Sequence, residues 1–209
     1  MLVERVSAGT QLRTRLFRAS ELHLASQFAV IAHPLAAYGG DFDDPIVKLL
    51  TKCCLEQGID VLTYNARGTP SSGLSATWTR QTEAKDFLAL VQEMIDARGH
   101  LGRLHGFCIG YSAGAMSAAL GHHAATQDVE LSFCWIAMPV SLIWALCSFQ
   151  TGWLYTSFDS VARHHRILVV FGTQDAFTSH SAYARWTGVL SRKATPASLT
   201  SWLTPFGAG

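Results

Sequence analysis

Residues 106–114 read Gly-Phe-Cys-Ile-Gly-Tyr-Ser-Ala-Gly, an apolar run that closes in Gly-x-Ser-x-Gly around Ser112. A small-residue stretch, Ala115-Met116-Ser117-Ala118-Ala119-Leu120, follows with helical character. Strand, tight turn and helix in that order form the setting of a nucleophilic serine. The turn forces the serine backbone into a strained conformation, and Gly110 and Gly114 lack the Cβ that would strike the neighbouring strand and helix. The Ser112 hydroxyl is then held out at the carboxyl edge of a sheet. The Ala113 N–H, at the helix start, points to where an oxyanion would form. Two glycines around a serine also suit a turn that merely packs closely. The flanking strand and helix favour the nucleophile.

A serine hydroxyl attacks a carbonyl only when a base takes its proton, and a histidine base needs a carboxylate to fix its tautomer. Asp175 closes Gly172-Thr173-Gln174-Asp175 after an apolar run at 167–171, so it can hang over the same edge as Ser112. It is the expected orienting acid, an aspartate there also being suited to capping the next turn. The second oxyanion donor is expected from the loop after Ala32. Pro34 has no N–H, so Leu35 is the first candidate and Ala36 the second. His33 precedes the nucleophile on the oxyanion side and reads as a residue that shapes its loop. The nine histidines have no metal-ligand spacing, and no metal or organic cofactor is implied.

Several elements must hold these groups in place. Alternation over 9–18 suits a half-exposed strand at a sheet edge. The wholly apolar run at 28–32 suits a central parallel strand covered on both faces, ending in the loop 33–40. Asp43-Asp44-Pro45 opens a helix with an acidic cap and a proline in the first turn; Ile46, Leu49, Leu50, Cys53 and Cys54 form its expected buried stripe, and Gly58 stops it. A strand over 59–64 leads into Asn65-Ala66-Arg67-Gly68. A second helix spans about 79–98. Strands are expected over 129–138 and 167–171, a helix over 180–190, and a last strand over 197–203. The segment 141–165, rich in Trp144, Phe149, Trp153, Tyr155 and Phe158, reads either as a small cap or pocket wall or as aromatic core filling. Alternating strands and helices predict an α/β domain with a mostly parallel sheet and helices on both faces, one domain over 1–209.

The bulk numbers agree with such a domain. A chain of 209 residues, 49% hydrophobic and 15% charged, can bury a sizeable core. The net charge is +1, without basic or acidic blocks, so no nucleic-acid partner is suggested. Five cysteines, an odd number with Cys53 and Cys54 adjacent, read as reduced thiols of a cytoplasmic protein. The opening Met-Leu-Val-Glu-Arg-Val puts charge where a signal peptide needs an apolar core. The most apolar stretch, 134–149, is shorter than the roughly 18 residues of a membrane span and contains Pro139. Nothing in the composition sets an oligomeric state.

Together the motifs resemble the α/β-hydrolase superfamily, specifically its small dienelactone-hydrolase-like members. The matching stretches are His33-Pro34 with Gly39-Gly40, Asn65-Ala66-Arg67-Gly68, Gly110 to Gly114, and Gly172 to Asp175, in family order and covering nearly the whole chain. The resemblance implies a serine hydrolase that cleaves an ester or related acyl bond of a small-molecule substrate. It departs at the end. Family members continue Gly-Ala-Gly with the catalytic histidine, whereas this sequence stops at Gly207-Ala208-Gly209. The base is therefore expected just past Gly209, in a chain either truncated there or naturally lacking it. A non-catalytic binding or interaction protein of the same fold is the alternative. His164, His165 and His180 have no local sequence support as substitutes.

Overall fold

Five apolar runs become the parallel core of a sheet in the computed structural model, which describes residues 1–7, 9–21 and 24–195. These are β3 (Gln27–Ala32), β4 (Asp60–Tyr64), β5 (Leu104–Tyr111), β6 (Val129–Ile136) and β7 (Arg166–Val170). At one edge β1 (Leu2–Val6) and β2 (Arg13–Phe17) complete the sheet in the order β1-β2-β4-β3-β5-β6-β7. β1 pairs antiparallel with β2 and β2 antiparallel with β4, and all remaining pairs are parallel. The helices are α1 (Pro45–Glu56), α2 (Gln81–Asp96), α3 (Ala113–Ala118), α4 (Ile143–Leu146), α5 (Gly152–His164) and α6 (His180–Lys193).

Alternation along the strands divides the core in two. Val30, Leu62, Phe133 and Trp135 face a large cluster with Phe87 and Leu90 of α2, Phe158 of α5 and Trp186 of α6. Ala29, Ile31, Val61 and Ile109 face the other way, onto Val47 of α1. Phe107, Cys134 and Ile136 share that second face and are only partly buried.

The expected cap of α1 is present. Asp44 accepts from the Ile46 and Val47 N–H groups, and Pro45 occupies the first turn. Its buried stripe is offset from expectation. Val47 and Thr51 are buried and the expected Leu50 and Cys54 pack partly buried on the same face, whereas Leu49 is 55% exposed and Cys53 is exposed. The helix lies on the sheet through the row one residue along, which puts a threonine inward with its hydroxyl bonded to the Val47 carbonyl. The strand expected over 9–18 is β2, and β1 has no counterpart among the expectations. The segment 141–165 divides. The short α4 stands at the carboxyl edge of the sheet, while α5 packs Leu154, Phe158, Val161 and Ala162 into the larger core. The strand expected over 197–203 lies outside the described residues.

One polar joint ties loops to this core. The Asp60 carboxylate, fully buried, accepts from the Ala19 and Ala25 N–H groups and from Arg98 Nη2 at 2.7 Å. Arg98 also donates to the Ala25 and Met94 carbonyls. No helix among the described residues is long and apolar enough to cross a membrane.

Candidate active site

Ser112 sits between β5 and α3 with φ 53° and ψ −123°, a left-handed conformation that a non-glycine residue holds only under constraint. The constraint is visible on both sides. The Ser112 N–H donates to the Ile136 carbonyl at 2.8 Å, which fastens the turn to the end of β6. A Cβ on Gly110 would lie 2.3 Å from Ala115 Cα, and one on Gly114 would lie 2.5 Å from the Ala32 and His33 carbonyl oxygens. Helix α3 therefore crosses directly against β5 and β3, and only glycine permits both approaches. The sequence pattern and the turn have one steric cause.

The loop after β3 is built by three local devices. His33 is 4% exposed and has both ring nitrogens occupied: Nε2 accepts from the Ala66 N–H at 2.9 Å, and Nδ1 lies 2.6 Å from the Pro34 carbonyl, to which it donates. Burial lowers its pKa, with smaller opposing contributions from that carbonyl, Asp41 and Asp44. A neutral imidazole locked at both ends shapes the loop and is not free to take a proton from Ser112. The Tyr38 and Gly40 N–H groups close the loop onto the Leu35 carbonyl. Gly40 lies against the Pro34 carbonyl, where a Cβ would come within 2.3 Å. The Asn-x-Arg-Gly motif secures the arrangement from outside. Asn65 accepts from the Phe42 N–H and donates to Ser71 Oγ, and Arg67 pairs with Asp86 of α2.

Leu35, Ser112 and Ala113 line one cleft of about 450 Å3. Neither the Leu35 nor the Ala113 N–H has a hydrogen-bond acceptor among the described residues. Two free donors beside a serine are the equipment an oxyanion requires. Ala36, the second candidate, lies in the single helical turn behind Leu35 and does not line this cleft. Pro139, Leu142, Ala145, Leu146 and Phe177 form an apolar wall, and Tyr38, Tyr111 and Asp44 line the cleft together with Pro34, Gly39 and Gly40 of the loop after β3.

Asp175 follows β7, two residues before the cleft-lining Phe177. Its Oδ1 accepts from the Phe177 and Thr178 N–H groups at 2.8 and 2.9 Å, so it does cap its own turn. Its Oδ2 lies 3.1 Å from the Tyr183 hydroxyl, which also approaches the Met138 carbonyl at 2.7 Å. One proton serves both acceptors, so Oδ2 keeps capacity for a further donor. Burial, then Asp175, raises the Tyr183 pKa, so the hydroxyl stays protonated. Sequence reasoning missed Tyr183 because nothing local marks it; the contact exists only once α6 folds back beside β6 and β7. It also missed Tyr111 and Asp44 as cleft residues.

Among the described residues no histidine lines the cleft. His180 packs its ring 5.9 Å from that of Phe171, and His165 lies before β7, at the opposite end of the sheet. The position after Gly209 lies outside the described residues.

No family model matches the sequence, and no curated protein matches it. Solved structures do. An α/β serine hydrolase without a lid from Xanthomonas campestris is 20% identical and superposes with a TM-score of 0.69 over 99% of this chain and 84% of that one. An α/β serine hydrolase homologue from Coxiella burnetii is 20% identical, with a TM-score of 0.70 over 99% and 87%. A Pyrococcus furiosus esterase is 17% identical, with a TM-score of 0.70 over 98% and 82%. The chain has the α/β-hydrolase fold.

Proposed function

We propose that this protein is a serine hydrolase that cleaves an ester or related acyl bond of a small molecule. The observation that carries the reading is the Ser112 turn: a strained serine whose hydroxyl has no partner among the described residues, beside two unpaired backbone donors in an apolar cleft. In this reading Ser112 Oγ attacks the substrate carbonyl, and the Leu35 and Ala113 N–H groups hold the oxyanion. A histidine takes the serine proton and passes it to the leaving alcohol, leaving an acyl-serine that water hydrolyses. Asp175 Oδ2 orients that histidine, with Tyr183 and the two turn N–H groups fixing the carboxylate. The family pattern puts the histidine directly after Gly209. The relatives described as serine hydrolases and an esterase support this chemistry through their fold. The absence of a histidine from the described cleft favours the second reading, a binding protein on the same scaffold.

Fluorophosphonate labelling read by intact mass separates the two, with circular dichroism confirming folding. The expected result is Ser112-dependent labelling of a chain extended by histidine and a short tail after Gly209. Residues 1–209 alone and the Ser112→Ala variant should label weakly or not at all. Rapid Ser112-dependent labelling of 1–209 would put the base elsewhere. A folded, extended chain that stays unlabelled would sink the hydrolase reading.

A further inference from the structure

The cleft beside Ser112 is unbalanced in charge. Among the described residues Asp44 is its one ionisable carboxylate, and no lysine, arginine or histidine lines it. Asp44 is fixed where it stands. As the α1 cap its Oδ1 accepts from the Ile46 N–H at 2.8 Å and from the Val47 N–H at 3.3 Å, while Oδ2 has no partner among the described residues. The nearby cations are committed elsewhere: Arg15 and Lys48 both pair with Asp43, at 2.8 and 3.0 Å. Across the cleft, Tyr111 senses Asp44 and Asp175 together; burial raises its pKa first, and the two carboxylates add to it. The opposite wall, Leu142, Ala145 and Leu146, offers an incoming charge no polar side chain.

A carboxylate carried on the substrate away from its reacting carbonyl loses water, meets no cationic side chain and approaches a fixed negative charge, because the Leu35 and Ala113 N–H groups are taken by the carbonyl oxygen. A neutral hydrocarbon chain meets none of these costs and buries apolar surface on the same wall. We propose that Asp44 makes the cleft a charge filter, admitting substrates whose cleft-bound portion is neutral and apolar and rejecting those that carry a carboxylate there. The filter deepens the hydrolase reading by naming its substrate class. It acts on binding, so it is measured without turnover.

The test is a 1H–15N NMR titration of the folded chain with 2-octanone and with 7-oxooctanoate, a ketone of equal chain length ending in a carboxylate. Octanone should shift the amide signals of Tyr111 and Leu146, and oxooctanoate should bind at least about tenfold more weakly. Asp44→Asn keeps a competent helix cap while removing the charge. It should bring the two dissociation constants to within about threefold by tightening the anion, whereas Asp43→Asn, outside the cleft, should leave the gap unchanged. Equal affinities in the parent chain, a gap that survives Asp44→Asn, or binding that bypasses the cleft signals would each overturn the filter. Selective binding by a chain that never labels with fluorophosphonate would keep the filter and remove the hydrolase.

Discussion

At the scale of single residues, the turn at Ser112 concentrates demands that no other residue type meets. Ser112 holds φ 53° against its own Cβ, a conformation costing on the order of 1–3 kcal/mol. Gly110 and Gly114 make the turn possible by letting α3 approach to distances at which a methyl group would overlap backbone atoms. Backbone cannot swing aside as a flexible side chain can, so Gly110→Ala should cost about 3 kcal/mol or more, at or beyond the usual range for overpacking. Gly152 is the internal control: its Cβ would meet nothing within 4 Å, and it opens α5. Gly152→Ala should be neutral or slightly stabilising, by up to about 1 kcal/mol. Urea unfolding of the two variants checks the pair, and similar midpoints would refute the steric account. The same contrast explains why this part of the site is legible in sequence. Its steric rule is written into neighbouring positions, whereas Asp44 and Tyr183 reach the site through tertiary contacts that leave no local pattern.

At the scale of elements, polarity read along the chain locates buried strands well and edges poorly. β4 is buried throughout and β3 at five of its six positions; β3 appears as the unbroken apolar run 28–32, and β4 as a mainly apolar stretch broken by Asp60 and Thr63. β1 is different. Four of its five residues are exposed, and Glu4 and Arg5 spend their charges on Arg15 and Glu93, so its sequence resembles a loop. The offset of α1 has a related cause: Val47 and Thr51 lie one position from a more apolar row, and the contact with the sheet decided between them. Joints between elements are equally hidden. Asp60 and Arg98 are 38 residues apart, yet their ion pair joins β4, the end of α2 and the loop after β2 in a site from which water is excluded. Removing one partner leaves the other charged and buried. Asp60→Ala should therefore destabilise by about 3–5 kcal/mol. The double variant Asp60→Ala with Arg98→Met should recover part of that loss. Thermal unfolding of the four chains measures it, and a purely additive cycle would show that the two side chains do not act as a pair.

At the scale of the whole molecule, the sheet separates its chemistry from a cluster of histidines. The cleft lies past the carboxyl ends of β3 and β5, whereas four histidines gather toward the opposite ends. The His122 ring lies 3.9 Å from that of His123 and 6.5 Å from that of His165, which packs edge-on to Phe133 at 5.2 Å. His164 precedes His165 directly, and both His122 and His164 oppose a positive charge on His165. Burial is the larger cause and, with those two neighbours, lowers the His165 pKa to about 4 despite its bond to the Leu131 carbonyl. Burial also lowers His122, with His123 and His164 adding to the effect. A histidine whose folded pKa lies below its unfolded value takes up protons preferentially when unfolded. Its contribution to stability is complete above about pH 6.5, the unfolded value, and is lost as pH falls toward about 4. For His165 alone the full shift corresponds to about 3 kcal/mol, which solvent screening of the partly exposed ring reduces to about 1–2 kcal/mol, a noticeable part of the 5–15 kcal/mol typical of folded domains. Melting temperature should accordingly fall steeply between pH 6.5 and 4. His165→Gln, which keeps a hydrogen-bond donor and cannot titrate, should flatten the profile. Because the cluster is remote from Ser112, His165→Gln should leave probe labelling of the folded, extended chain at pH 5 as it is in the parent, since the base that takes the Ser112 proton sets that value in both, and labelling should return when the pH is restored. An unchanged melting profile in His165→Gln would place the acid response in other groups, and altered labelling of the folded variant at pH 5 would tie the cluster to the cleft.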